Sequence, residues 1–265
     1  IKLRATSAAC TAVNSDQIIV SPATAVKLGF TQQPSGTVTA GVPLATQPKV
    51  ALQDTYNNII TTDNATQITL SRGATGTDTL QGTTLTAYVE AGIATFDGLS
   101  YNKAETMNIL ASAGSYTSAT SSDVAVTATS IDHYIVTSTT PQTAGTGWPV
   151  TVTAYDQYNN VATPNSTMLV TMSITPSATA TFYTDNTYAV VNASKQYTLS
   201  SGVATAYLKD TLVETISITA IDADFKTNTI ANIVINPTVP SKFVITGSST
   251  QIAGATNDLI ITAYD

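Results

Sequence analysis

The chain has 265 residues, a net charge of -7 and only 10% charged residues. Without a basic cluster, that balance argues against nucleic acid as a partner. No apolar run approaches the ~18–20 residues of a membrane span, so no membrane span is expected in this window. Thr fills about a fifth of the chain, which favours strands and leaves a solvent face of hydroxyls and amides that repels its neighbours weakly.

Cys10 is the only cysteine, so an intrachain disulfide is impossible. Low Lys with high Thr and Asn points, by composition, to a secreted or surface protein. The chain begins Ile1-Lys2-Leu3, without Met or a signal pattern, and reads as a window cut from a longer polypeptide.

Taken in order, the chain reads as strand after strand, with no helical period held for three turns. Val50 to Gln53 runs into Asp54-Thr55-Tyr56-Asn57-Asn58, a turn in which Asp bonds its own backbone and Asn accepts the left-handed conformation. Runs at 67–70 and 83–89 follow, then Gly92-Ile93-Ala94-Thr95-Phe96. The alternating stretch Val150 to Tyr155 ends in Asp156-Gln157-Tyr158-Asn159-Asn160. Runs at 168–172, 203–208 and 215–219 complete the series, punctuated by Gly, Asn, Asp and Ser. Alternation turns Val50, Leu52, Phe96, Val150, Val152 and Ala154 inward.

These landmarks repeat. Ala40-Gly41, Ala144-Gly145 and Ala253-Gly254 fall 104 and then 109 residues apart, and Asp54, Asp156 and Asp265 fall 102 and 109 apart. Gly92-Ile-Ala-Thr and Gly202-Val-Ala-Thr, Glu105-Thr and Glu214-Thr keep the same order. A period near 105 is the size of a whole sandwich domain, not of a solenoid repeat. The expected fold is therefore all-β, as tandem immunoglobulin-like β-sandwich domains. Residues 24–129 and 131–237 form complete units. Residues 1–22 read as the C-terminal strands of a preceding unit and 240–265 as the N-terminal strands of a further one.

The Ala-Gly opening, the strand ending in Asp-x-Tyr-Asn-Asn and the later Gly-Val-Ala-Thr resemble tandem immunoglobulin-like repeats of prokaryotic cell-surface proteins. Invasin-type adhesin stalks and S-layer repeats are examples. Members commonly show Asp-x-x-Gly-Asn, where this chain has Asn57 and Asn159 in place of Gly. They often carry Tyr on the strand after the Gly-Val-Ala-Thr block, where this chain has Met107 and Ile216. The resemblance implies extracellular scaffold and adhesion roles without catalysis.

No reaction chemistry stands out. His133 is the only histidine and no Gly-x-Ser-x-Gly is present, so a polar residue at a unit junction is favoured over a triad member. One Cys and one His cannot build a zinc site. Glu105 and Glu214 are repeat equivalents, not a carboxylate pair. Calcium is the one metal weighed, at Asp54 and Asn57 or Asp156 and Asn159, with Asp222 and Asp224 as carboxylates elsewhere. Calcium wants 6–8 oxygens, so one Asp per turn favours a purely structural turn and no cofactor.

Sequons begin at Asn64, Asn165 and Asn192, of which Asn64 and Asn165 are repeat equivalents. Trp148 shares the face of Val150 and Val152 and is expected in the core rather than as a sugar platform. The segment 174–201 is longer than its counterpart and carries Tyr183, Tyr188 and Tyr197, candidates for a partner contact.

The expected function is structural: an extracellular cell-surface array forming an S-layer, filament or stalk, its partners being copies of itself. Adhesion to glycans or host-surface ligands is the alternative. A non-catalytic accessory region of a secreted enzyme, whose catalytic domain lies outside this window, comes third.

Overall fold

Val150, Val152 and Ala154 sit on one side of a single extended strand, Gly147–Tyr155, and all three are buried. The Thr and Tyr between them are half-buried on the other face, as a period of two demands. A computed structural model describes residues 1–176 and 179–265; Ser177 and Ala178, within the segment expected to carry the tyrosines, lie outside the described residues. The described residues hold strands and turns and no helix. The chain divides into two compact units, 1–127 and 128–265.

In the first unit the strands are β1 (Arg4–Ser7), β2 (Cys10–Asn14), β3 (Lys27–Gln32), β4 (Thr37–Thr39), β5 (Lys49–Gln53) and β6 (Gln67–Arg72). They continue as β7 (Thr86–Tyr88), β8 (Ile93–Thr95), β9 (Thr106–Met107), β10 (Ile109–Ser112), β11 (Ala119–Thr120) and β12 (Val124–Thr127). The sheet β3-β5-β8 packs its inner face against the sheets β11-β10-β6-β7 and β4-β12-β9. Val50, Leu52, Ile68, Leu70, Phe96, Met107 and Ile109 fill the space between, each 2% exposed or less. Burying such a side chain contributes about 1.5–3 kcal/mol. The hairpin β1-β2 is exposed throughout. The run expected as a strand over 83–89 is one only at Thr86–Tyr88. Outside that strand, the Thr83 hydroxyl donates to the Asp97 carbonyl, 3.2 Å away.

The second unit is the clearer sandwich. Its strands are β13 (His133–Thr137), β14 (Gln142–Thr143), β15 (Gly147–Tyr155), β16 (Leu169–Thr175), β17 (Thr181–Tyr183) and β18 (Gln196–Thr198). Then come β19 (Val203–Lys209), β20 (Thr215–Ile221), β21 (Thr227–Asn236), β22 (Lys242–Thr246) and β23 (Ile260–Tyr264). One sheet runs β13-β15-β19-β17 and the other β14-β21-β20-β16-β18. Tyr134, Trp148, Val150, Val152, Met172, Phe182, Leu208, Ile216 and Ile218 form one buried cluster between them. Trp148 is thus in the core, 3% exposed. The hairpin β22-β23 is exposed throughout.

Equivalent positions of the repeat carry the same backbone. Gly41 and Gly145 share a φ of 74°, and Gly92 and Gly202 have φ of 79° and 80°. Asn57 and Asn159 have φ of 67° and 62°. Asn is the side chain that best tolerates this region after Gly, so it can make the left-handed step of the turn.

Candidate functional site

The two Asp turns are built alike. Asp54 Oδ1 accepts the Tyr56 and Asn58 N–H, and Oδ2 accepts the Asn58 side-chain amide and the Ala23 N–H, all at 2.9 Å. Asp156 Oδ1 accepts the Tyr158 and Asn160 N–H at 2.9 Å, and Oδ2 accepts the Asn160 amide and the Thr129 N–H at 3.0 Å. Both carboxylates are fully buried. Burial pushes the Asp54 carboxyl up, but the Asn58 amide and the Ala23, Asn58 and Tyr56 N–H groups outweigh it and hold it at about 2. Asp156 is lowered by the same balance.

A carboxylate has about four acceptor positions, and at each turn four donors fill them. A calcium ion bound by Asp54 or Asp156 would have to displace those donors. Asn57 and Asn159 contribute the left-handed backbone step of the turn. Asp222 is occupied in the same manner, accepting the Tyr134 hydroxyl at 2.8 Å and the Asp224 and Lys226 N–H at 2.9 Å. Among the described residues no three His, Cys, Asp or Glu side chains are grouped to hold a metal ion.

One donor in each turn is not local. Ala23 and Thr129 lie at the head of the segment leading into β3 and into β13. A third copy closes the series, where Thr238 N–H donates to Asp265 Oδ2 at 2.9 Å. The turn aspartate therefore clasps the incoming chain of its own repeat. The sequence gives no sign of this, because the donor is a backbone group whose side chain is Ala in one copy and Thr in two.

The tyrosines gather on the outer face of the sheet β13-β15-β19-β17. Tyr183 and Tyr207 are cross-strand partners, and Tyr207 also faces Pro149. Tyr188 stands edge-on to both, its ring centroid 5.7 Å from that of Tyr183 and 6.1 Å from that of Tyr207. Its ring lies over Gly147, where an added Cβ would come within 2.4 Å of it. Tyr188 takes a φ of 53°, uncommon for a bulky residue. All three tyrosines are half-buried. Tyr207 was legible in the pattern: Ala204, Ala206 and Leu208 point inward, which turns Tyr207 out. Tyr197, expected beside them as a partner contact, is placed differently. It is 8% exposed, and its hydroxyl donates to the Tyr183 carbonyl at 2.6 Å, so it anchors the segment from within.

The sequons differ in what their amides do. Asn64 is exposed and uses Oδ1 to accept the Ala91 N–H at 2.8 Å. Asn165 Nδ2 donates to the Ala162 carbonyl at 3.3 Å, and Asn192 Nδ2 to that of Gln196 at 3.0 Å. His133 pairs with Asp132 at 3.0 Å and stacks on Tyr155, with centroids 5.6 Å apart.

No helix among the described residues is long and apolar enough to cross a membrane. No protein-family model and no curated protein sequence matches the chain. Among solved structures, S-layer protein SbsC domains 4 and 5 are 17% identical with a TM-score of 0.32, covering 82% of this chain and 99% of that one. The Yersinia pseudotuberculosis adhesin InvE is 14% identical with a TM-score of 0.31, covering 79% of this chain and 60% of that one. A β-glycosidase from Bacteroides vulgatus is 9% identical with a TM-score of 0.35, covering 80% and 25%. The similarity is thus to S-layer, adhesin and glycosidase structures alike, at levels that assign this chain none of their activities.

Proposed function

We propose that this chain is a non-catalytic structural segment of an extracellular cell-surface protein. Its sandwich repeats, 24–129 and 131–237 with parts of two others at 1–22 and 240–265, are joined in series into an S-layer, filament or stalk. The observation that carries this reading is the clasp made three times, by Asp54 on Ala23, Asp156 on Thr129 and Asp265 on Thr238. A spacer needs the chain that enters each repeat pinned to that repeat's fold, and a carboxylate on a backbone N–H, buried at Asp54 and Asp156, is a strong way to do it. The residues that resemble surface-protein repeats are the ones that build this turn. Sheet faces of Thr and Ser with little charge favour close lateral association between copies. Asn64 is the sequon whose amide is best presented for a glycan, in a host that attaches one.

Sedimentation of the native protein at cell-surface concentrations tests this. Assemblies of many copies support it, and a persistent monomer sinks it. The adhesin reading rests on the Tyr183, Tyr188 and Tyr207 cluster, which offers aromatic surface on a sheet face. Retention on immobilised glycans that is lost on Tyr188→Ala would favour it.

A further inference from the structure

Glu105 and Glu214 occupy equivalent corners of the two complete repeats, and the corners are chemically different. The correspondence is fixed by the backbone: the Gly41 N–H donates to the Tyr101 carbonyl at 2.9 Å, and the Gly145 N–H to the Asp210 carbonyl at 2.6 Å. Tyr101 and Asp210 are therefore the same position, each four residues before its glutamate. Lys103 and Leu212 correspond in the same way. Thr77 and Thr179 are related by the 102-residue offset that relates Asp54 to Asp156.

In the first corner the glutamate is satisfied. Tyr101 Oη donates to Glu105 Oε1 at 2.6 Å, the Thr77 N–H donates to the same oxygen at 2.6 Å, and the Thr77 hydroxyl reaches Oε2 at 3.1 Å. Lys103 Nζ lies 3.6 Å from Oε2 and balances the charge.

In the second corner Asp210 stands in place of the Tyr101 phenol and Leu212 in place of the Lys103 amine. Asp210 is fully buried. Its Oδ1 accepts the Thr179 hydroxyl at 2.8 Å and the Leu212 N–H at 2.9 Å. Its Oδ2 is buried and accepts no hydrogen bond among the described residues, and the same is true of Glu214 Oε1. Two acidic side chains thus stand where the first repeat has an acid, a phenol and an amine. Buried carboxylate oxygens without donors are costly, and native folds rarely leave them so.

We propose that the Asp210 and Glu214 corner binds calcium. The donor set is all oxygen, which selects a hard cation over zinc or copper. A divalent ion would neutralise both carboxylates and fill the two orphaned oxygens at once. Two acidic side chains make a modest site, with carbonyls and water completing the shell. That is the range of extracellular modules, with Kd of about 0.1–1 mM. Calcium binding here does not require the array to form.

The test uses terbium and calcium on the full chain. Trp148 is the only tryptophan and pairs with Leu208, two residues before Asp210, so it can sensitise terbium emission from this corner. The expected result is saturable emission, displaced by calcium at about 0.1–1 mM, and a melting transition of the second unit that rises with calcium. Asp210→Asn and Glu214→Gln should each weaken displacement by at least about tenfold. Should either fail to fold, Asp210→Tyr with Leu212→Lys rebuilds the corner of the first repeat, and that variant should melt alike with and without calcium. Emission that calcium does not displace would overturn the proposal, as would a melting transition unmoved by calcium. A calcium response that survives at Asp210→Asn and vanishes at Asp156→Ala would place the ion elsewhere and overturn it too.

Discussion

Removing the clasp carboxylate by Asp156→Ala should destabilise the second unit severely. Asp156 accepts four hydrogen bonds, from Tyr158, Thr129 and twice from Asn160. Thr129 and Tyr158 are half-buried and can turn to water, whereas Asn160 is 8% exposed and loses both of its bonds to the carboxylate. Bonds to a charged acceptor are each worth about 1.5–3 kcal/mol, so those two alone predict a loss of about 3–6 kcal/mol. A domain holds only about 5–15 kcal/mol in all. The melting temperature should fall by about 10 °C or more. Trp148 fluorescence reads this unit selectively, because the only tryptophan is buried in its core. Asp54→Ala, in the first unit, should leave the Trp148 transition in place. If Asp156→Ala melted within about 2 °C of the parent, the clasp would not be a stabilising element and the reasoning from hydrogen bonds would be refuted.

Acid should act on the first unit through Asp54 and Glu105. Burial raises both carboxyls, but hydrogen bonds outweigh it, from Asn58 and three N–H groups at Asp54 and chiefly from Tyr101 and Thr77 at Glu105, and both sit at about 2. Their unfolded values lie near about 4. The folded state therefore binds fewer protons, and the stability they add is full above about pH 4 and lost as pH falls toward about 2. A melting temperature that stays flat across that window would contradict the assignment. Gly92→Ala should cost about 1–3 kcal/mol by urea denaturation, because Gly92 has φ of 79° and a Cβ there would lie 2.6 Å from the Ile60 carbonyl oxygen. Phe225→Gly should stabilise the second unit by about 1 kcal/mol, since Phe225 is 83% exposed and held at φ of 63°; a loss of stability would reveal a contact for that ring.

What was legible in the sequence is what period and side-chain chemistry encode. Val150, Val152 and Ala154 declare their face by alternation, and Asn57 and Asn159 declare a left-handed step because few other side chains tolerate one. The repeat by itself locates Gly41, Gly92 and their partners at Gly145 and Gly202. Features held by backbone groups were not legible: nothing about Ala23, Thr129 or Thr238 announces an N–H pointed at an aspartate. Tyr197 was misplaced because a short strand in a long insertion gives too few residues to fix its register. The Asp210 and Glu214 corner escaped because two carboxylates four residues apart look ordinary. Only burial, and the contrast with Tyr101 and Lys103, marks them out.

The central claim is that this chain serves as a structural array on a cell surface, and imaging tests it most directly. Antibody raised against residues 24–237 should label an ordered lattice, filament or stalk when native cell surfaces are examined by electron microscopy. Label scattered over the surface without any ordered structure, on cells whose protein is retained on glycans through Tyr188, would contradict the account and leave adhesion in its place.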